Sequence, residues 1–210
     1  ETVMTLPVLA IAVFDGVELL DFAGPLEVFS AATELAGEAP WRVLTVSLGD
    51  REVRSAHGLT FRADVTADEA PVLHGLLIPG GVGVRQVMKT PAQMNWLIER
   101  GEQADMLMSV CTGAFALAAA GFLQGIRATT HQQYLDELRQ LAPACDVVTG
   151  ARLVRSGRVL TSAGVSAGLD LALAVVRDQL GDELAARVSA YVEYPPTDAV
   201  DPSVQPASPS

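Results

Sequence analysis

Short apolar runs alternate along the chain with longer stretches of helical spacing. The apolar runs predict strands at 6–13, 42–48, 75–79, 106–110 and 127–129. Apolar positions spaced at three and four residues predict helices at 25–35, 91–101, 112–120, 132–141 and 165–179. Turn residues predict hairpins at 53–61 and 152–160. This order predicts an α/β fold whose mostly parallel sheet is covered by helices on both faces.

The segment 106–126 has the length of a membrane span, because its twenty-one residues carry no charge. Small and polar residues interrupt it between 109 and 113, and the two halves differ in type. The first half favours a strand, and the Ala-rich second half favours a helix. We therefore expect a buried strand that turns sharply into a buried helix. The apolar run at 6–14 lacks the features of a signal peptide and is also expected to be a strand.

Length and composition fit one globular domain. The chain has 210 residues, of which 50% are hydrophobic and 19% charged, and these values suit a compact core. We expect residues 1–194 to form this domain. The segment 195–210 holds five of the twelve prolines and is expected to be a flexible tail. A net charge of −11 argues against a nucleic-acid partner.

The cysteines and histidines limit the site types further. Two cysteines without a CxxC motif exclude a dense disulfide framework and favour a reducing, cytoplasmic location. The three histidines are scattered, so we expect no metal site. The glycines at 80–83 lack the remaining residues of a phosphate-binding fingerprint, so we expect no nucleotide.

Candidate functional residues follow the predicted strands. Ligands of parallel sheets bind outside the carboxyl ends of the strands. Cys111 follows such a strand, precedes Thr-Gly and opens a predicted helix, as in a nucleophile elbow. The helix is expected to lower the thiol pKa and favour the thiolate. The alternative is a buried structural cysteine, which is the role expected of Cys145.

Asp21 lies among apolar residues after the first predicted strand. Such a carboxyl resists ionisation and is able to pass a proton to a substrate near neutral pH. Its alternative role is to cap the helix expected from Pro25, although Gly24 is nearer the cap position. Glu18 is a second acid or, more simply, a solvated loop carboxylate.

The remaining candidates are backbone donors and an imidazole. The amides of Gly80 and Gly81, together with that of Thr112, are suited to holding negative charge on a bound substrate. His131 follows a short predicted strand and reaches the same cleft or has a structural role. His57 and His74 carry no functional signal.

Four segments in this order resemble the DJ-1/PfpI superfamily, and the resemblance covers residues 6–194. They are Leu77-Ile-Pro-Gly-Gly81, Ser109-Val-Cys-Thr-Gly113, Ala128-Thr-Thr-His131 and Leu160-Thr-Ser-Ala-Gly164. The segments 16–29 and 192–196 are similar to its isonitrile hydratase branch. The resemblance implies a flavodoxin-like three-layer sandwich, a homodimer and no cofactor.

The same resemblance implies hydration of a small-molecule isonitrile to the N-substituted formamide. Cys111 is then the nucleophile that forms a thioimidate, Asp21 the proton shuttle and Thr112 a supporting residue. Relatives often carry Trp where this chain has Gln132, so the pocket or the dimer contact is expected to differ.

Three alternatives remain open. A glyoxalase or deglycase activity is disfavoured, because such relatives generally have Glu at the position of Asp21. Thr112 stands where protease-like relatives have His, which speaks against peptidase activity. Similar domains also form the ligand-sensing half of AraC-type regulators. Without a helix-turn-helix region, such a sensor is expected not to touch DNA itself. A third alternative is a redox sensor in which Cys111 is oxidised reversibly.

Overall fold

A seven-stranded sheet forms the centre of the computed structural model, which describes residues 6–195. Its strands lie in the order β10-β11-β7-β6-β1-β2-β5. All neighbouring strands are parallel except the β10–β11 hairpin at one edge. The strands are β1 (Val8–Val13), β2 (Arg42–Ser47), β5 (Val65–Thr66), β6 (Gly75–Ile78), β7 (Met106–Val110), β10 (Leu153–Ser156) and β11 (Val159–Ser162). The predicted mostly parallel sheet is therefore confirmed.

Helices cover both faces of this sheet, which gives the predicted flavodoxin-like three-layer sandwich. One layer packs together α1 (Leu19–Leu35), α6 (Ala167–Leu180) and α7 (Asp182–Tyr191). The other contains α2 (Val84–Lys89), α3 (Pro91–Gln103), α4 (Gly113–Ala119) and α5 (Leu135–Leu141). The central strands β1, β6 and β7 are buried along their whole length, as expected for strands covered on both faces.

Two small sheets lie beside the main one. The strands β3 (Glu52–Arg54) and β4 (Thr60–Arg62) form the predicted hairpin. The strands β8 (Arg127–Ala128) and β9 (Asp146–Val147) pair in parallel outside the main sheet. The predicted strand at 127–129 therefore exists but does not belong to the main sheet.

The start of the first helix was predicted wrongly. Helix α1 begins at Leu19, and Pro25 lies inside it rather than at its first position. A proline there removes one helical hydrogen bond. Gly24 and Pro25, however, lie against Leu169 and Gly168 of α6, so we attribute the extension to tertiary packing. Asp21 consequently lies in the first turn of α1 rather than in a loop.

The other differences concern short elements. The predicted helix at 132–141 is a 3-10 turn (Gln132–Tyr134) followed by α5. Helices α2 and α7 were not predicted, because α2 is six residues long and α7 follows a break at Gly181. The segment 106–126 does form a buried strand followed by a buried helix. Among the described residues, no helix is long and apolar enough to cross a membrane. The tail predicted at 195–210 lies, apart from Pro195, outside the described residues.

Candidate active site

The turn between β7 and α4 places Cys111 at the carboxyl edge of the sheet. Its backbone has φ of 55°, in the left-handed region that residues other than glycine rarely adopt. The Cys111 amide donates to the carbonyls of Ser162 and Ala163 at 3.2 and 3.1 Å, and its carbonyl accepts from Thr130 Oγ1 at 2.7 Å. These bonds hold the strained turn in place. The strand-turn-helix context predicted for an elbow cysteine is present.

The same turn needs glycine at position 113, because α4 crosses close to the end of β6. A Cβ atom there would lie 2.0 Å from the Ile78 carbonyl oxygen, well inside contact distance. Gly113 therefore allows the elbow to approach the neighbouring loop, which contains Gly80.

Asp21 is fully buried beside the elbow. Its Oδ2 accepts a hydrogen bond from the Gly80 amide at 2.9 Å, whereas Oδ1 is buried without a partner of this kind among the described residues. Burial raises the pKa of Asp21 from 3.8 to about 7, and the negative charge of Glu18 adds to the rise. Hydrogen bonds from the Gly80 amide and the Cys111 side chain act in the opposite direction. The carboxyl is therefore able to give or take a proton near neutral pH.

The expectation of a low thiol pKa at Cys111 was wrong. The pKa of the Cys111 thiol is raised to about 12, chiefly by burial and in addition by the negative charge of Asp21. Hydrogen bonds from Thr112 and from the Val165 amide lower the pKa, but they do not offset burial. The thiol is consequently neutral in the resting site near pH 7.

The glycines after β6 position the acid and the threonine. The Gly81 amide donates to Thr112 Oγ1 at 3.1 Å, while the Gly80 amide is engaged by Asp21. The amide and the side chain of Thr112 in turn favour the ionised form of Cys111 and lower its thiol pKa. All three amides thus serve the resting site, and their predicted contact with charge on a substrate stays a prediction.

His131 lies at the rim of the same site. Its Nδ1 accepts from the Gln133 amide at 3.2 Å, so a neutral ring carries its proton on Nε2. The ring lies against Gly164 and tilts over Tyr134, with 5.5 Å between ring centroids. This anchoring fixes the ring at the wall of the site, and a chemical role of His131 stays a prediction.

A cavity of about 160 Å³ opens in front of the Cys111 thiol. Glu18, Arg85, Tyr134 and Val165 contribute to its lining. Arg85, on the unpredicted α2, donates to Glu137 at 2.7 Å and lies over the Tyr134 ring. No local pattern in the sequence points to Arg85, because only the fold brings α2 to this cavity.

The other two histidines and the second cysteine lie outside the lining of the cavity in front of Cys111. His57 Nδ1 lies 3.4 Å from Oε1 of the cavity-lining Glu18. His74 Nδ1 lies 2.9 Å from Asp105 Oδ2. Cys145 is half-buried and free, and its structural role stays a prediction. Within residues 6–195, no group of three or more potential ligands is placed to hold a metal ion.

Comparisons with known proteins match most of the chain. The sequence model of the DJ-1/PfpI family matches residues 8–178. Isonitrile hydratase of Pseudomonas putida is 34% identical over 198 residues, which cover 93% of this chain and 83% of that protein. The HTH-type transcriptional regulator GbdR of Pseudomonas aeruginosa is 31% identical over 180 residues, which cover 86% of this chain and 48% of the regulator. A crystal structure of a THiJ/PfpI family protein from Pseudomonas syringae has a TM-score of 0.82 and 29% identity, covering 98% of this chain and 80% of that one.

Proposed function

This chain belongs to the DJ-1/PfpI family, and from that premise we propose that it hydrates a small isonitrile to the N-substituted formamide. The observation that carries the proposal is the buried pair formed by Cys111 and Asp21. The pKa of Asp21, at about 7, allows the carboxyl to exchange a proton with a thiol that does not ionise on its own.

The first step joins the thiol to the isonitrile. Ionised Asp21 takes the thiol proton while Sγ bonds to the terminal isonitrile carbon, and Asp21 then gives that proton to the same carbon. The product is a thioimidate, S–CH=N–R, which contains all atoms of both reactants. Asp21 is ionised again and ready for the second step.

The second step adds water and releases Cys111. Asp21 takes a proton from water as the hydroxyl bonds to the thioimidate carbon, and the proton passes to the nitrogen. The adduct then breaks its C–S bond, and the hydroxyl proton returns to Sγ through Asp21. One isonitrile and one water have become one formamide, without a cofactor.

The surroundings of the pair support a small substrate. The cavity of about 160 Å³ is smaller than pockets that take drug-sized ligands. Thr112 is proposed to orient the sulfur, and the Gly80 and Gly81 amides to keep the acid and Thr112 in place.

We also propose a cytoplasmic homodimer. The exposed apolar side chains Leu19 and Leu20, at the start of α1, support the dimer.

Formamide production from cyclohexyl isocyanide tests this function. Purified wild type is compared with Cys111→Ala and Asp21→Asn, whose folding is checked by circular dichroism, and with Cys145→Ser as the matched thiol control. We expect turnover in wild type and Cys145→Ser and none in the two site variants. Absence of turnover in freshly reduced wild type, or turnover retained by Cys111→Ala, would contradict the proposal.

The similarity to GbdR supports a second candidate, in which the same cavity senses a ligand without turnover. Calorimetry with an isonitrile, followed by an assay of the same sample for formamide, separates the two functions. A sensor binds its ligand without consuming it, whereas the proposed hydratase releases product. A redox sensor is less favoured, because a pKa of about 12 leaves little of the oxidisable thiolate at Cys111.

A further inference from the structure

A larger cavity lies next to the one in front of Cys111. Its volume is about 660 Å³, and its walls are the loops that follow β8 and β11 and the loop that precedes β10. His131 and Val165 line both cavities. The two cavities therefore share part of their lining, and a ligand whose reactive carbon lies at Cys111 has this second space next to it.

The lining of the larger cavity is rich in hydrogen-bonding groups. Among them, Arg152 has hydrogen-bond donors that its neighbours do not all use. Its Nε and Nη2 donate to Asp170 Oδ2 at 2.9 and 2.6 Å, and Nη2 also lies 3.2 Å from Ser166 Oγ and from the Tyr194 hydroxyl. Nη1 has no such partner among the described residues, and the side chain is 31% exposed. The guanidinium of this cavity-lining residue is thus held through Nε and Nη2, which leaves Nη1 as the donor for a ligand.

The charge balance favours an uncharged acceptor at that edge. Asp170, with a side-chain exposure of 7%, already faces the Arg152 guanidinium. A carboxylate on the ligand would add a second negative charge beside Asp170, in a chain whose net charge is −11. A carbonyl oxygen of an ester or amide accepts from Nη1 without adding charge.

We propose that the larger cavity binds the substituent of the isonitrile and selects substituents that carry an uncharged carbonyl acceptor. This inference rests on the proposed hydration at Cys111. Arg152 is the donor, and Gln132 and Thr149 line the space beside it.

A substrate series tests the selection. Isonitriles with one to three methylene groups before a methyl ester are each compared with a branched alkyl isonitrile of the same shape. We expect kcat/KM of wild type to favour at least one ester by about tenfold, the effect of one hydrogen bond to a charged donor. Equal values for every pair would overturn the proposal.

Two variants assign the preference to the cavity. Gln132→Trp fills the space, and Arg152→Lys keeps the charge beside Asp170 but removes the guanidinium edge. Both are expected to lose the ester preference, measured within each variant as the ratio of kcat/KM for the ester and its alkyl partner. Arg177→Lys, on the surface of α6, is the matched control. An ester preference that survives in both cavity variants would also overturn the proposal.

A binding measurement separates this proposal from the hydration itself. N-formylglycine methyl ester, the hydration product of methyl isocyanoacetate, is titrated into wild type and Gln132→Trp by calorimetry. Binding to wild type that is lost in Gln132→Trp supports the proposed role of the cavity. This holds even if no isonitrile is turned over, because absent turnover contradicts only the proposed hydration. No binding to wild type would count against the cavity.

Discussion

The Gly80 amide donates to Asp21 Oδ2 at 2.9 Å and thereby ties the acid on α1 to the loop that follows β6. The next loop along the sheet, after β7, carries Cys111. Parallel strands end at one edge, so β6 and β7 bring the support of the acid and the nucleophile together. The proton exchange proposed above depends on this edge keeping its geometry.

Gly80→Ala is expected to disrupt that geometry. A Cβ atom at this position would lie 2.6 Å from the Thr112 amide nitrogen and 2.9 Å from Asp21 Oδ2, so the loop or the acid must move. We expect loss of turnover by about a hundredfold or more, because small displacements of reacting groups have effects of that size. Gly49→Ala is the matched control, since its nearest neighbour would lie 3.9 Å away. Comparable turnover in the two variants would contradict the expectation.

Thr130→Val is expected to loosen the strained elbow. The Thr130 hydroxyl donates to the Cys111 carbonyl at 2.7 Å, and valine keeps the shape but not the donor. We expect a loss of about 1–2 kcal/mol in the free energy of unfolding, measured by urea denaturation, together with reduced turnover. Thr33→Val removes a comparable hydroxyl–carbonyl bond of 3.0 Å in α1. It should lower stability without lowering turnover, and equal losses of turnover would contradict an effect through the elbow.

Local sequence signals predicted the elbow well. Cys111 lies between a β-friendly run and an Ala-rich one, and the fold keeps both as β7 and α4. The start of α1 could not be predicted from local signals, because its packing on α6 outweighs the effect of Pro25. Arg85 was missed for the same kind of reason, since it belongs to a six-residue helix that only the tertiary fold brings to the site.

The ionisation of the site was harder to predict than its residues. The sequence suggested a helix start that stabilises a thiolate, but α4 is only seven residues long and Cys111 is buried beside an acid. Desolvation depends on the atoms that surround a group in three dimensions, and sequence spacing does not report them. The expectation that the Asp21 carboxyl resists ionisation agrees with its raised pKa, because its apolar neighbours in sequence also signal burial in the fold.

Asp21 is expected to make stability depend on pH. The pKa of Asp21 is about 7 in the folded protein, against 3.8 for an ordinary carboxyl, which represents the unfolded chain. Between these two pH values, the carboxyl therefore holds its proton in the folded state and loses it on unfolding. The contribution of Asp21 to the free energy of unfolding is therefore fully present below pH 3.8, falls as the pH rises to about 7, and is then constant. The total change is about 4 kcal/mol, at about 1.4 kcal/mol per pH unit.

Denaturation of wild type and Asp21→Asn across this range measures that contribution. Asparagine keeps an oxygen for the Gly80 amide but does not titrate. We expect the stability of the variant relative to wild type to increase from pH 4 to pH 7 and then to level off. Asp68→Asn, which changes an exposed side chain by the same single atom, is the matched control. Parallel pH profiles for wild type and Asp21→Asn would contradict the high pKa of Asp21.

The reactivity of Cys111 should show whether Asp21 is its base. In a Cys145→Ser background, iodoacetamide reports on Cys111 alone, because the chain has two cysteines. With Asp21 present, the reactive form needs an ionised carboxyl and a neutral thiol. The alkylation rate should therefore rise with pH up to about 7 and then reach a plateau, well below the thiol pKa of about 12.

Asp21→Asn in the same background should change the shape of this profile. Without the carboxyl, only the free thiolate reacts, and its population grows about tenfold per pH unit below the thiol pKa. Loss of the negative charge of Asp21 also lowers that pKa, so the rates of the two proteins are expected to approach each other at high pH. The discriminating feature is the plateau above pH 7, which wild type should have and the variant should lack. A plateau in both proteins would assign the titration to another group, whereas a continuous rise in both would mean that Asp21 does not accept the Cys111 proton.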